Sequence, residues 1–218
     1  MNIVIFDLDN TLIPLDSDYE WNIFLKKKKL INKKNIKKNK NWYKKYLKGN
    51  LDCYKYLKFV FKILSKFDIN FIKNIRNKFI NNIIKININK SIIKLINNHK
   101  NNGDLILIIT ATNYFITKPI SKVLNLFLIA AKPKINNKKI INKLINYPTY
   151  SFFKIINIKK FLFLKNKNFL NFKKSYFYSD SKNDIPLLSI VTNPIITNPN
   201  KKFRKYAIKK KWSIIYLF

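Results

Sequence analysis

The amino-acid sequence predicts an α/β protein, a doubly wound parallel sheet with an all-helical segment inserted after the first strand. Three observations carry this. Short apolar runs such as Ile3–Phe6 and Leu105–Ile109 recur along the chain and end in a carboxylate or a hydroxyl, the pattern of strands buried on both faces of a parallel sheet. Helical patterns separate these runs, so strand and helix alternate. Between residues 19 and 88 the alternation stops and only helical spacing remains.

Taken in order, Ile3–Phe6 is the first strand and ends at Asp7, and Leu105–Ile109 is the second and ends at Thr110. A third run, 175–178, leads through Ser179 to Asp180, and 195–196 reads as a fourth strand. Residues 128–131 and 213–217 are weaker strand candidates. Helical patterns cover 91–98, 119–126, 155–164, 185–191 and 201–211. In such a sheet ligands bind outside the carboxyl ends of the strands, so Asp7, Thr110 and Asp180 are expected on one edge. Inside the insertion, 19–30, 41–47, 51–66 and 70–84 read as helices, with Tyr54, Leu57, Phe61 and Leu64 at helical spacing. The domains expected are therefore a core of residues 1–18 and 89–218 and a helical unit of 19–88. Gly49 and Gly103, the only glycines, fall in predicted loops.

The composition is unusual. Of 218 residues, 43 are Lys, 38 Ile and 33 Asn, whereas only two are Arg, and the formal charge is +35. AT-rich codons encode that trio, so nucleotide bias is an expected source of the basicity that requires no polyanionic partner. Hydrophobic residues at 47% and aromatics at 15% supply a core and exclude a disordered basic tail. No apolar run approaches the roughly 20 residues of a membrane span, and the start of the chain lacks the features of a signal peptide, which predicts a cytoplasmic protein. One cysteine, Cys53, allows neither an internal disulfide nor a thiolate metal cluster. With His99 the only histidine, a zinc site or a Ser-His-Asp triad is disfavoured.

In so basic a chain the acids are informative. Ten exist, and seven of them fall in two short segments: Asp7, Asp9, Asp16, Asp18 and Glu20, then Asp180 and Asp184. That clustering predicts one composite site. Helix capping explains Glu20, and it explains Asp16 and Asp18 about as well as a binding role does. It does not explain Asp7 and Asp9. Two carboxylates two residues apart on an extended tip can converge on one metal and one phosphorus, one attacking while the other handles protons.

Asp7-Leu8-Asp9-Asn10-Thr11 directly after a buried strand resembles the first motif of the haloacid dehalogenase superfamily of phosphohydrolases, Asp-x-Asp-x-Thr/Val. Thr110 matches the second motif, and Asp180-Ser181-Lys182-Asn183-Asp184 the fourth. The third is a lysine, for which the spacing within 148–154 favours Lys154, with Lys159 and Lys160 as alternatives. The similarity spans nearly the whole chain and is strongest to the subfamily of phosphoserine phosphatase, including a branch often assigned as histidinol-phosphatase. The resemblance implies a Rossmannoid core whose helical insertion is a cap, and a magnesium-dependent phosphatase acting through an aspartyl-phosphate.

It also implies the roles. Asp7 is the nucleophile, Asp9 the general acid and base, and Thr110 and Lys154 stabilise the phosphoryl group. Mg2+ is held by Asp7, the Asp9 carbonyl and Asp180, which suits its preference for hard oxygen ligands, and Asp184 supports the site. Asp16, Asp18, Thr112, Asn113 and Asn183 are candidate substrate contacts, with a small phosphorylated metabolite as the partner. A carboxylate there suits an amine-bearing substrate such as histidinol phosphate or phosphoserine. Ser179 and Phe153 depart from the family, which commonly has Gly at both places, and 132–147 looks shortened. His99 reads as structural.

The charge motivates a different class, a nucleic-acid-binding protein or a phosphatase of polynucleotide ends. Specific base readout leans on Arg, which is nearly absent, so the binding protein is disfavoured, while a phosphatase of polynucleotide ends stays open as an alternative. Twelve lysines between Lys26 and Lys48 read first as a solvated helix face. A decayed enzyme is a third reading, against which the complete set of Asp7, Asp9, Thr110, Asp180 and Asp184 argues.

Overall fold

A computed structural model describes residues 1–218. Six parallel strands form one sheet: β1 (Ile3–Phe6), β2 (Leu105–Ile109), β3 (Phe127–Ile129), β6 (Ser175–Ser179), β7 (Asn193–Thr197) and β8 (Ser213–Ile215). Their order is β3-β2-β1-β6-β7-β8. From β1 the chain winds outward on one side through β2 and β3, then returns to lay β6 against the other side of β1. That reversal makes the gap between β1 and β6 the topological switch point. Registers Ile3↔Leu105 and Ile3↔Ser175 bring the carboxyl ends of β1, β2 and β6 level, which puts Asp7, Thr110 and Asp180 on one edge.

Alternation along β1 feeds two cores. Val4 and Phe6 face a cluster completed by α5 (Lys90–Asn101), α6 (Tyr114–Leu124) and the inserted helices. Ile3 and Ile5 face a second cluster, completed by α7 (Phe152–Phe163), α8 (Ile185–Leu188) and α9 (Lys201–Lys209). The insertion comprises α1 (Ser17–Lys27), α2 (Lys33–Lys48), α3 (Cys53–Leu64) and α4 (Ile69–Phe79), the last running on through a π-helical turn, Ile80–Ile84, and a short 3-10 turn. Its apolar residues Trp21, Leu57, Phe61 and Phe79 belong to the same cluster as Val4 and Phe6. No helix is long and apolar enough to cross a membrane.

The structure departs from the sequence-based expectations in four places. The predicted 41–47 helix is the second half of α2, which starts at Lys33 with Asn32 capping it through the Asn35 N–H. Its first half carries little apolar signal because only Ile36 and Asn39 are buried. Residues 132–147 hold an antiparallel hairpin, β4 (Pro133–Asn136) and β5 (Lys139–Leu144). Its two-residue turn, Asn137 and Lys138, has positive φ at both positions (44° and 56°), the twist a tight hairpin requires. The helix containing Lys154 begins at Phe152 and not at 155, so the lysine sits in its first turn.

The fourth departure is α6, which starts at Tyr114 and keeps Pro119 inside it. Proline has no N–H, so the Phe115 carbonyl four residues back loses its helical partner. Arg76 of α4 supplies a replacement, donating from Nη1 to that oxygen at 2.9 Å while its guanidinium lies 4.6 Å from the Phe115 ring centre. One of the two arginines thus ties the insertion to the core. Arg76→Met should lower stability by about 1–3 kcal/mol, the cost of an unpaired buried carbonyl, read as an earlier urea midpoint. An unchanged midpoint would show that the tie contributes nothing.

Candidate active site

The site is built on the carboxyl edge of the sheet and roofed by the insertion. Asp7 leaves β1 with its N–H donating to the Tyr178 carbonyl at 2.9 Å, so the backbone of β6 aims it. Thr110 follows β2 and is buried, its carbonyl accepting from the Thr149 hydroxyl. Asp180 follows β6; the Thr11 hydroxyl lies 3.3 Å from its Oδ1 and accepts its backbone N–H at 3.2 Å.

Lys154 is buried although lysine is the commonest residue in the chain. One helical turn before Ile158 on the inward face of α7, it passes beneath the sheet edge with its Nζ 5.5 Å from the Phe177 ring centre. The Nζ donates to Asp7 Oδ1 at 2.8 Å and Asp184 Oδ2 at 2.7 Å. Lys159 and Lys160 lie on the exposed side of α7. The Ser179 hydroxyl also donates to Asp184 Oδ2, at 2.7 Å, so the residue that departs from the family pattern completes the network holding Lys154.

Asp9 is gripped from two sides. The Ser17 N–H, at the first turn of α1, donates to its Oδ1 at 2.9 Å, and the Thr112 hydroxyl donates to its Oδ2 at 2.6 Å. Asp16 caps α1, accepting the Tyr19 N–H at 2.8 Å, and lines the cavity as well. Asp18 is buried, accepting from the Tyr56 hydroxyl and, at 3.4 Å, from the Asn113 amide. Asn113 caps α6 in turn through its Oδ1 and the Ile116 N–H. Asn183 lies off the cavity wall and donates to the Tyr46 carbonyl at the end of α2 at 3.0 Å.

Six carboxylates thus belong to the site, and its one buried ammonium, Lys154, pairs with two of them, Asp7 and Asp184. Burial pushes Asp7 up to about 7 against the opposing pull of Lys154. Burial and then Asp16 push Asp9 up to about 7, and burial pushes Asp16 up to about 6. Asp180 is raised well above the usual carboxylate range by burial, then by Asp7 and Asp184. For Lys154, burial alone would lower the ammonium, but Asp184 and Asp7 outweigh it and raise it. The other four acids are spent elsewhere: Glu20 lies in the first turn of α1, Asp52 and Asp68 cap α3 and α4, and Asp104 accepts from Asn2 and pairs with His99, which also meets the Tyr178 hydroxyl.

This donor set fits a divalent cation. Asp180 has no cationic partner, while Asp7 offers Lys154 only one of its oxygens. A hard cation that takes one or two carboxylates and completes its shell with water and phosphate suits such oxygen donors. Asp7, Asp180 and the Asp9 carbonyl are the groups available to hold it.

Next to these acids is a cavity between the sheet edge and the insertion. Asp7, Asp9, Asp16, Asp18, Thr110 and Thr112 form its floor, and the insertion supplies Tyr19, Trp42, Tyr43, Tyr46 and Tyr56, with Tyr150 from the loop before α7. Neighbouring rings are in contact, Tyr19 and Tyr43 at 5.6 Å and Trp42 and Tyr56 at 6.0 Å between centres. In a chain of charge +35 not one of the nineteen lining residues is Lys or Arg. Sequence reasoning missed this aromatic wall, since helical spacing marks a shared face without showing what that face meets. It also missed Thr149, Ser17 and buried Asn39.

Asp18 gives a test of the electrostatics. Burial, then Asp16 and Asp9, raise its carboxyl well above the ordinary value, so the folded state binds that proton more tightly than the unfolded chain. Such a group costs stability at a pH above its unfolded value and costs nothing below it. Asp18→Asn should therefore raise the melting temperature by about 2 °C at pH 7, with the gain vanishing near pH 4. A fall at pH 7 would mean that the Tyr56 and Asn113 bonds outweigh the burial cost.

The model of haloacid dehalogenase-like hydrolases matches residues 4–189. A histidinol-phosphatase of Neisseria meningitidis serogroup C (strain 8013) is 32% identical over 217 residues, 98% of each chain. A protein of unknown function from Bordetella pertussis Tohama I superposes with a TM-score of 0.93 at 30% identity, covering 100% of this chain and 99% of that one. A phosphoserine phosphohydrolase-like protein of Francisella tularensis subsp. tularensis SCHU S4 shares the fold, with a TM-score of 0.71 at 18% identity over 99% of this chain and 95% of that one.

Proposed function

The chain belongs to the haloacid dehalogenase-like hydrolase family and is a phosphatase of it, and from that premise we propose that it hydrolyses L-histidinol phosphate with Mg2+, through a phosphorylated Asp7. The observation that carries the choice of substrate is the charge of the cavity. Phosphoserine bears a carboxylate beside its amine and would set it against Asp16 and Asp18 with no Lys or Arg on the wall to receive it. Histidinol phosphate has no carboxylate. Its ammonium suits the two acids and its flat imidazole suits a wall of tyrosine and tryptophan. The full-length likeness to a histidinol-phosphatase points the same way.

In this reading the phosphomonoester lies with its phosphorus over Asp7. Lys154 occupies Asp7 Oδ1, which leaves Oδ2 to attack in line. As the bond from Asp7 to phosphorus forms and the ester P–O bond breaks, Asp9 gives its proton to the departing oxygen. Asp9 then takes a proton from the water that attacks the phosphorylated Asp7, releasing phosphate and the free carboxylate. Thr110 and Lys154 hold charge on the transferring group, where most catalysis of such a transfer arises. A Mg2+ ion held by Asp7, Asp180 and the Asp9 carbonyl supplies charge compensation for the phosphoryl oxygens.

Initial rates with L-histidinol phosphate and L-phosphoserine, side by side, test the substrate. A kcat/KM ratio of at least about 100 is expected, since like charges set against each other cost several kcal/mol. Equal rates would overturn the choice. EDTA should abolish turnover and added Mg2+ restore it, whereas activity that persists in EDTA would remove the metal.

A further inference from the structure

We propose that Thr112 is a positioning residue for Asp9 and acts on protonation of the leaving group. This role rests on the phosphatase mechanism above but not on the choice of substrate. Thr112 is buried, and its hydroxyl donates to Asp9 Oδ2 at 2.6 Å across 103 residues of sequence. Its own N–H donates to the Thr110 hydroxyl at 3.1 Å, so the short loop after β2 fixes it. On the opposite side, Ser17 presents a backbone N–H to Asp9 Oδ1.

The two partners differ in one respect that matters for a residue that must gain and lose a proton. A backbone N–H can only donate, so it serves the ionised carboxylate alone. A hydroxyl can donate to the carboxylate and, by rotating, accept from the carboxylic acid. Of these two hydrogen bonds, the one from Thr112 is therefore able to hold Asp9 in place through both halves of the reaction. Each oxygen of Asp9 accepts one bond from these partners and keeps a second site for the ester oxygen or the attacking water. The proton concerned passes from Asp9 to the bridging ester oxygen while the P–O bond breaks and the bond from Asp7 forms.

Loss of the hydroxyl should then matter in proportion to how much the leaving group needs a proton. The probes are phenyl phosphate, whose leaving oxygen has the basicity of a tyrosine side chain, and 2,4-dinitrophenyl phosphate, whose leaving oxygen departs unprotonated. For Thr112→Val, kcat/KM should fall about 10- to 100-fold on phenyl phosphate, a share of what general acid catalysis supplies, and less than about threefold on the dinitro ester. The inhibition constant of inorganic phosphate should not move. Thr112→Ser, which keeps the hydroxyl, should behave like the wild type on both esters. If the valine variant fails to fold, Thr112→Ala should show the same asymmetry. Equal loss on the two esters, a weakened phosphate inhibition, or failure of serine to restore the rate would each overturn the proposal and make Thr112 a substrate contact or a purely structural residue. A wild-type chain inert towards both esters would remove the phosphatase mechanism together with this role.

Discussion

Asp7→Asn should abolish turnover, by at least about 10⁴-fold, the scale seen when a covalent nucleophile is removed, while leaving the fold intact. The amide oxygen can still accept from Lys154, which keeps Asp184 at 2.7 Å as its ionic partner. Burial already works against the charge at this position, so a neutral isostere relieves a cost. The expected signature is a dead protein whose melting temperature is equal to or above that of the wild type. In an acid-quenched reaction, the phosphoryl label carried by the wild type should be missing from the variant. Retained phosphatase activity would remove Asp7 from the role of nucleophile.

Lys154→Met should damage fold and function together. It leaves Asp7 and Asp184, 4% and 2% exposed, without their shared cation, and breaking a buried ion pair by removing one partner costs about 3–5 kcal/mol. The loss of charge beside the transferring phosphoryl should lower kcat by a further 10²- to 10³-fold or so. Lys154→Arg should not rescue, because a planar guanidinium does not fit where a compact ammonium is enclosed by two carboxylates and the Phe177 ring. Lys159→Met and Lys160→Met, on the exposed side of the same helix, should leave rate and stability within about twofold and 0.5 kcal/mol. A large loss in either of those, with Lys154→Met active, would reassign the lysine.

These two residues were unequally legible. Asp7 stood out because carboxylates are scarce and because an apolar run ending in Asp-x-Asp is a local signal. Lys154 was one of 43 lysines, and spacing could only favour it over its neighbours. What separates it from Lys159 and Lys160 is burial against residues 30 and 147 positions away. The tie between Arg76 and the Phe115 carbonyl was hidden for the same reason. Pro119 inside a helical pattern reads as a helix start, and only the packing of α4 on α6 supplies the donor that lets the helix continue through it.

The lysine-rich insertion shows where composition misleads. Its charge drew attention to its outer face, yet the side of it that meets the cavity is aromatic and holds no cation. Periodicity reports which residues of a helix share a face, and it cannot report whether that face meets a core or a cavity. Tyr19, Trp42, Tyr43 and Tyr56 therefore drew no assignment from the sequence.

By itself the sequence determined the alternating strands and helices, the helical insertion and the gathering of acids at the strand ends. Those follow from local apolar patterns and from motifs a few residues long. Only the tertiary structure decided which lysine neutralises them, that Thr112 and Ser17 grip Asp9, and that the cavity beside them is acidic and aromatic in a protein of charge +35. Each of those depends on side chains brought together from distant parts of the chain. Burial then sets their charge, since an ion taken out of water keeps its charge only where a partner or a bound cation meets it.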